Sequence, residues 1–411
     1  MRVAVIGGGI GGLTTALSLH AAGIPVEVHE AVREPKPLGV GINLLPHAVR
    51  ELIELGLDDA LAEIGIATET LVYANKFGQE IWREPRGLGA GYLWPQYSLH
   101  RGRLQMLLLD SAVQRIGADH IHFGRRAIRF ESDCDSATAF FAQGSVTADV
   151  IVAADGIHSA ARAQLHPGEG PPKWNHRILW RGVTAAEPFL GGRTMVMAGH
   201  QNQKFVCYPI GGSNGQSLIN WIAELSFPDG HLWRREDWNR AANLDEFLPA
   251  FRSWRFSWLD VPGIIARAEQ VYEYPMVDRD PLGHWTSGRL VLLGDAAHPM
   301  FPIGSNGASQ AILDARTIAH ALATNRDPTD ALTHYEATRL PATSKIVLAN
   351  RGNGPEQVMQ IAEARAPGGF DNIDTVISRN ELEKISDRYK VIAGFDKETL
   401  NSRPSLSAIR S

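Results

Sequence analysis

Residues 2–6 read RVAVI, a short apolar run without polar alternation, followed at once by GGGIGG and then by LTTALSLHAAG. Such a run suits a strand buried on both faces, and the stretch behind it suits a helix, so the segment predicts strand, tight turn, helix. PVEVHE at 25–30 predicts a second strand. Two further apolar runs each break at an acid, VIVAADGIHSAAR at 150–162 and RLVLLGDAAHP at 289–299. Strands that alternate with helices indicate a parallel sheet of the Rossmann type. The stretch between these runs reads differently. HRILWRGVTA, TMVMAGH, KFVCYPI and SLINWIAEL follow one another between Gly and Asn turns, which predicts antiparallel strands. Helical spacing returns from Ala308 toward Ala323 and from Pro328 through about Asn350, and 351–411 mixes short helical patterns with turns such as RAPGGFDN. The expected fold is α/β with an α+β insert: a Rossmann-type domain interrupted by an antiparallel-sheet domain, with C-terminal helices.

Gly7, Gly9 and Gly12 stand in the spacing G-x-G-x-x-G. Between a strand and a helix each has a task. Gly7 permits the sharp turn, Gly9 lets the backbone approach a pyrophosphate, and Gly12 lets helix and strand pack closely while the helix N-terminus faces the anion. Glu30 closes the second strand eighteen residues beyond Gly12, placed to accept hydrogen bonds from ribose hydroxyls. This much admits either NAD or FAD. Asp155 and Asp295 end the other two strands, and an acid at a strand end marks the ligand edge of such a sheet. Asp295 could grip polyol hydroxyls, so three strand ends converge on one extended cofactor.

At 411 residues the chain exceeds one core of ordinary size, which favours two domains. A formal net charge of -5 without long single-sign runs gives no attraction to nucleic acid or an anionic membrane. No apolar stretch is long enough to cross a bilayer and no cleavable leader precedes the first strand, so a cytoplasmic location is expected. Cys134 and Cys207 are the sole cysteines, too few for a disulfide framework, a Cys-rich metal site or the CxxC pair of flavin disulfide reductases. His47 and His100 have no second ligand at metal spacing, and no metal is expected.

The three segments, in this order, resemble the class A flavoprotein monooxygenases, the para-hydroxybenzoate hydroxylase group, whose signatures are G-x-G-x-x-G, a D-G segment and a G-D segment. The resemblance extends to about Asn350. It implies bound FAD, NADH or NADPH as a transient reductant, and hydroxylation of a small aromatic or heteroaromatic compound with O2 through a flavin C4a-hydroperoxide, with decarboxylation left open. By the family pattern Asp155 supports the pyrophosphate and nicotinamide region, and Asp295 holds the ribityl chain. Arg101 and Leu104 match an Arg-x-x-Leu helix near the flavin, and Gly41, Ile42 and Asn43 count among the cofactor contacts. Pro302 matches a proline beside the flavin ring. Gly307, Ala308 and Ser309 match a Gly-x-Asn at a helix start, with Ser309 in place of Asn, and backbone amides there would face flavin N1 and O2. The stretches LGVGINLLPHAV, EPRG, PQYSLHRG, WRGVT and YPMVDRDPL look most like the phenazine hydroxylases of this group, which implies a polycyclic or heteroaromatic substrate.

On this resemblance the FAD domain is discontinuous over 1–75, 100–172 and 275–345, the substrate-binding insert takes 76–99 and 173–274, and 346–411 forms a C-terminal helical segment. Monomer and homodimer are both open. For the reaction the candidates are Pro302 together with Tyr208 and Arg181 on insert strands, able to hydrogen-bond a phenol or pair with a carboxylate. The plainer reading makes Tyr208 a core aromatic and Arg181 a surface strand residue. His298 reads as a brace for the turn after Asp295, Trp180, Trp221 and Trp285 as packing, and Arg279 as partner to an acid of the FAD domain. Two rivals stand beside the hydroxylase: an oxidase, reductase or halogenase on the same fold, and a non-catalytic flavin redox module. WNHRILW does not fit the W-x-W-x-I-P of tryptophan halogenases.

Overall fold

The structure, a computed structural model, describes residues 1–232 and 241–409. Residues 233–240 of the expected insert and the last two of the expected C-terminal segment lie outside the described residues. The opening apolar run forms β1 (Val3–Ile6), buried along its whole length at the middle of a six-stranded sheet. Across that sheet the order is Thr286–Ser287, Leu290–Leu292, Val150–Ala153, β1, β2 (Val26–Glu30) and Ile121–Phe123. All neighbours run parallel except the first pair. Parallel strands deliver their carboxyl ends to one edge, so the glycine turn, Glu30, Asp155 and Asp295 meet at the crevice where open α/β sheets take ligands. α1 (Ile10–Ala21) is buried nearly all round because it lies between the sheet and the helix Gly307–Thr324.

The second unit is a seven-stranded sheet ordered Val271–Asp278, Lys173–Ala186, Gln216–Ser226, Gln203–Ser213, Thr194–His200, Thr70–Ala74, Glu80–Pro85. Its two faces have different work. Trp180, Trp221, Phe205 and Cys207 pack on Phe247, Phe251 and Trp254, with the Trp180 and Phe247 rings stacked at 4.6 Å. The register sets Arg181 opposite Ile222 and Tyr208 opposite Asn220, and these residues share the other face.

Two boundaries fall elsewhere than expected. Thr70–Ala74 pairs in parallel with Thr194–His200, so the second sheet takes in residues ahead of 76 and is not purely antiparallel. At the other end, the helix Pro328–Arg351 runs unbroken past residue 345 and stops at Gly352. Beyond it the helix Arg379–Ile392 packs back onto the molecule through Leu382, Ser386 and Tyr389. Among the described residues, no helix is long and apolar enough to cross a membrane.

Candidate active site

The turn after β1 is shaped by steric necessity at two glycines. Gly7 has φ +115°, and a Cβ there would sit 2.2 Å from Ala154 O; a Cβ at Gly12 would sit 1.9 Å from Gly7 O. Gly9 is different: its φ is -78° and a Cβ would meet nothing within 4 Å. The protein leaves space above Gly9, at the start of α1, where the free amides of a helix N-terminus point. Glu30 braces this loop, since Gly8 N–H donates to its Oε2 at 2.5 Å and Val32 N–H to its Oε1 at 2.6 Å. Gln105 closes the other side by donating to Gly8 O at 2.9 Å.

Asp155 is turned toward the helix Ala160–Leu165. Its Oδ2 accepts from Ala160 N–H at 2.8 Å, while Oδ1 is buried without a partner. Burial pushes this carboxyl above its ordinary range. Asp295 lies open to the crevice yet is crowded by protein, which raises its carboxyl against the opposing pull of His298 and Arg101. Arg101 is likewise open to the crevice, at the start of the helix Arg101–Ile116, and makes no ion pair among the described residues. The turn that carries Asp295 is held rigidly. Arg162, 1% exposed, donates to Ala297 O at 2.7 Å, and His298 Nε2 lies 2.6 Å from Asp314 Oδ2. Burial alone would raise Asp314, but His298 and Arg339 beside it draw its carboxyl below the ordinary value.

Pro302 is exposed toward the crevice, between buried Phe301 and Ile303. Five residues on, the helix Gly307–Thr324 begins with no side-chain cap, and a Cβ at Gly307 would meet nothing within 4 Å. Its first amides therefore face open space. Ser309 is fully buried and its Oγ accepts from Leu45 N–H at 3.3 Å, so the backbone of this segment and not the hydroxyl is available to a ligand. Tyr389 supports the loop from behind. Its hydroxyl accepts from Asn306 Nδ2 at 2.9 Å and donates to Asn350 Oδ1 at 2.7 Å.

The second sheet brings Arg181 and Tyr208 together. Tyr208 is 2% exposed, and burial pushes its phenol up to about 12, with Arg181 pulling the other way. Arg181 donates to Gly41 O at 2.7 Å, and Gly41 N–H donates to Asn220 Oδ1 at 2.6 Å. β3 (Gly41–Leu44) is thereby clamped to the sheet, and a Cβ at Gly41 would meet Asn220 at 2.7 Å. Arg181 Nε and Asn220 Nδ2 are buried without partners. Asn43 is committed elsewhere, its Oδ1 accepting from Ser98 at 2.5 Å. Ile42, next to it, is half-buried. Beside Gly304 and Ser305 a cavity is lined by Tyr73, Arg86, Gln96, Met195 and Met197, and Tyr73 OH, Arg86 Nε and Gln96 Oε1 lack partners there.

Sequence reasoning had not singled out Asn220, Gln105, Arg162, Asp314, Tyr389, Tyr73, Arg86 or Gln96. Arg86, Gln96 and Arg162 lie inside the stretches EPRG, PQYSLHRG and VIVAADGIHSAAR but had been given no role there, and for Asp314 the local signal is a charge in the largely apolar stretch AILDARTIA. Trp180, Trp221 and Trp285 are packing residues, all at most 2% exposed. Arg279 pairs with Glu169 at 3.0 Å.

The residues fit a flavin dinucleotide. A loop left open at Gly9, the exposed Asp295 and Arg101 and the uncapped helix start at Gly307 are donor and acceptor sets available to a ligand, and Asp155, buried and turned into the protein, ends a strand of the same parallel sheet. A fold and site of this kind define an FAD-dependent oxidoreductase. Comparison with known proteins agrees: residues 1–350 match the FAD-binding domain family, and the chain belongs to it. It is 46% identical to phenazine 1,6-dicarboxylic acid hydroxylase of Lysobacter antibioticus, over 85% of this chain and 89% of that one. It is 35% identical to a 3-amino-4-hydroxybenzoate 2-monooxygenase of Streptomyces platensis, over 98% of both. Among solved structures, HpxO of Klebsiella pneumoniae in complex with FAD and uric acid superposes with a TM-score of 0.76 at 26% identity, covering 98% and 97% of the chains. The protein is a flavoprotein monooxygenase that hydroxylates aromatic compounds.

Proposed function

We propose that this enzyme uses NADH or NADPH and O2 to hydroxylate a fused, nitrogen-containing aromatic carboxylate. The observation that carries the reading is Arg181: a guanidinium with a buried, unpartnered Nε, beside the Tyr208 phenol, on the sheet face that packs against Phe301 and Ile303. A buried unpartnered donor on a cation is costly unless something binds it, and a carboxylate suits a guanidinium. The 46% identity to a phenazine dicarboxylic acid hydroxylase supports a planar polycyclic ring.

Bound FAD would supply the redox chemistry, accepting a hydride from the nicotinamide and activating O2. The sum is ring C–H, NAD(P)H, a proton and O2 giving ring C–OH, NAD(P)+ and water. The chain's own work is binding, orientation and exclusion of water. Arg181 would fix the substrate carboxylate, Tyr208 would donate to its oxygen, and Pro302 would border the ring against the cofactor. The helix start at Gly307, Ala308 and Ser309 would place backbone donors where negative charge collects on reduced flavin. In the same reading Glu30 holds the adenosine ribose, and Asp295 and Arg101 hold the polyol and phosphate stretch.

The test is oxidation of NADH and of NADPH by the holoenzyme with fused N-heteroaromatic acids, their uncharged parents and single-ring phenols. A product one oxygen atom heavier, formed fastest from the fused acids, is expected. Equal stimulation by the uncharged parents would overturn the carboxylate assignment.

A further inference from the structure

Away from the crevice, on the outer part of the six-stranded sheet, three metal-ligating side chains share one face. Glu27 and His29 stand two residues apart on β2 and so point the same way, and the parallel register sets His122 directly opposite His29. We propose that Glu27, His29 and His122 form a binding site for one divalent cation of the zinc class.

The distances argue for it. His29 Nε2 lies 3.4 Å and His122 Nε2 3.3 Å from the same oxygen, Glu27 Oε2, and all three ligand atoms lie within 4.8 Å of one another. Zinc bonds of about 2.0–2.1 Å in tetrahedral geometry separate neighbouring ligands by about 3.3 Å, so two edges of the polyhedron already stand at the right length. The third closes with a tilt of the imidazoles, whose rings are stacked at 4.7 Å and 25°.

Burial without partners is the second observation. His29 is 6% exposed, yet its Nδ1 has no partner and its Nε2 has only Glu27 Oε2 at 3.4 Å, while Glu27 Oε1 is buried without a hydrogen bond and has only the Arg2 guanidinium 3.7 Å away. Buried polar groups in this state call for an unseen ligand, because leaving each unpaired costs about 1–3 kcal/mol. Phe141 walls one side, stacked on His29 at 5.0 Å, and the partly exposed His122 leaves an entry. Two cationic groups face the cluster: Arg125 beside His29, and Arg2, whose Nη1 is 3.7 Å from Glu27 Oε1, whose Nη2 donates to Thr147 O and whose side chain is more than half exposed. Three protein ligands leave the fourth position to water. The ion would tie Ile121–Phe123 to β2, the strand that ends in Glu30 and whose His29 O accepts from Gly7 N–H at 2.8 Å.

The holoenzyme, stripped with EDTA and dialysed, is titrated with Zn2+ against a chromophoric chelator and separately with Co2+, whose tetrahedral bands lie to the red of oxidised flavin. One equivalent per chain is expected, with the cobalt bands appearing in step. Because His29→Gln removes a buried ring and could unfold the edge, the partly exposed His122→Gln is the primary variant, with Glu27→Gln beside it; each should weaken binding about tenfold or more at unchanged flavin content. No saturable uptake overturns the proposal. So does uptake that survives His122→Gln and Glu27→Gln but is lost in Cys134→Ser, which would place the ion at the exposed Asp133–Cys134–Asp135 cluster instead.

Discussion

Asp295 and Arg101 illustrate how little a single side chain says without its neighbours. Each is charged, crowded by protein and open to one crevice, and neither has an ion-pair partner among the described residues, which is the state of groups awaiting a ligand. Asp295→Ala should therefore purify without its yellow colour; full flavin occupancy, read as the ratio of visible to ultraviolet absorbance, would remove its assigned role. Arg181→Ala should keep FAD and raise KM for a carboxylated substrate about tenfold to a hundredfold, the worth of a charged hydrogen bond, while leaving KM for an uncharged analogue close to wild type. An equal change with both analogues would show that the loss of its bond to Gly41 O is the whole effect. His47 offers a pH test. It is fully buried, its ring stacked on Phe395 at 5.4 Å, and burial, aided by Arg403 and Arg339, holds it well below 6.5. The unfolded chain takes up a proton near pH 6.5 that the folded chain refuses, so stability falls as pH drops below that value. His47→Gln should make the decline of Tm between neutral and mildly acid pH shallower, and an unchanged slope would show that other groups carry it.

The glycine turn separates two reasons for the same residue. Gly12 is required by the fold, because a Cβ would overlap Gly7 O, whereas Gly9 has room around it and would be required by the ligand alone. Gly9→Ala should fold, with an apoprotein Tm close to wild type, yet bind FAD at least about tenfold more weakly, since a methyl group would stand where the pyrophosphate approaches. Gly12→Ala should lower the apoprotein Tm itself. If Gly9→Ala also destabilised the apoprotein, the space above it would have a structural and not a ligand-binding cause. The same distinction holds at the helix Gly307–Thr324, whose Ser309 hydroxyl is spent on Leu45 while its first amides stay open.

The molecule as a whole is closed by its C-terminal segment. Tyr389 reaches back to Asn306 and Asn350, and Gly304 has φ +68° with no room for a Cβ, which would stand 2.2 Å from the Tyr389 hydroxyl. The loop beside Pro302 is thus held in place from behind by residues more than eighty positions away. Tyr389→Phe leaves Asn306 and Asn350 with unmet hydrogen bonds at a cost of about 1–3 kcal/mol. It should lower Tm and raise the share of NAD(P)H oxidised without product, measured as peroxide released per nucleotide consumed. Full coupling in this variant would confine Tyr389 to stability.

Wherever the information is local, the chain could be read directly. The turn glycines, Glu30, Asp155 and Asp295 follow from apolar runs ending in Gly or an acid, because a buried strand must be continuous and its end is where the backbone becomes available to a ligand. The insert strands were legible for the same reason, as alternation and turns are properties of neighbouring residues. The crevice network was not. Asp314 meets Arg339, and Arg162 meets Ala297 O, through a fold that joins residues 25 and 135 positions apart, and no periodicity encodes such pairings. Nor could the boundary at residue 75 be placed, since Thr70–Ala74 is assigned to the second sheet by its partner Thr194–His200 and not by its own composition. Strand and turn propensities act over a few residues; the choice of which polar groups face each other in a dry interior is made only when distant elements pack.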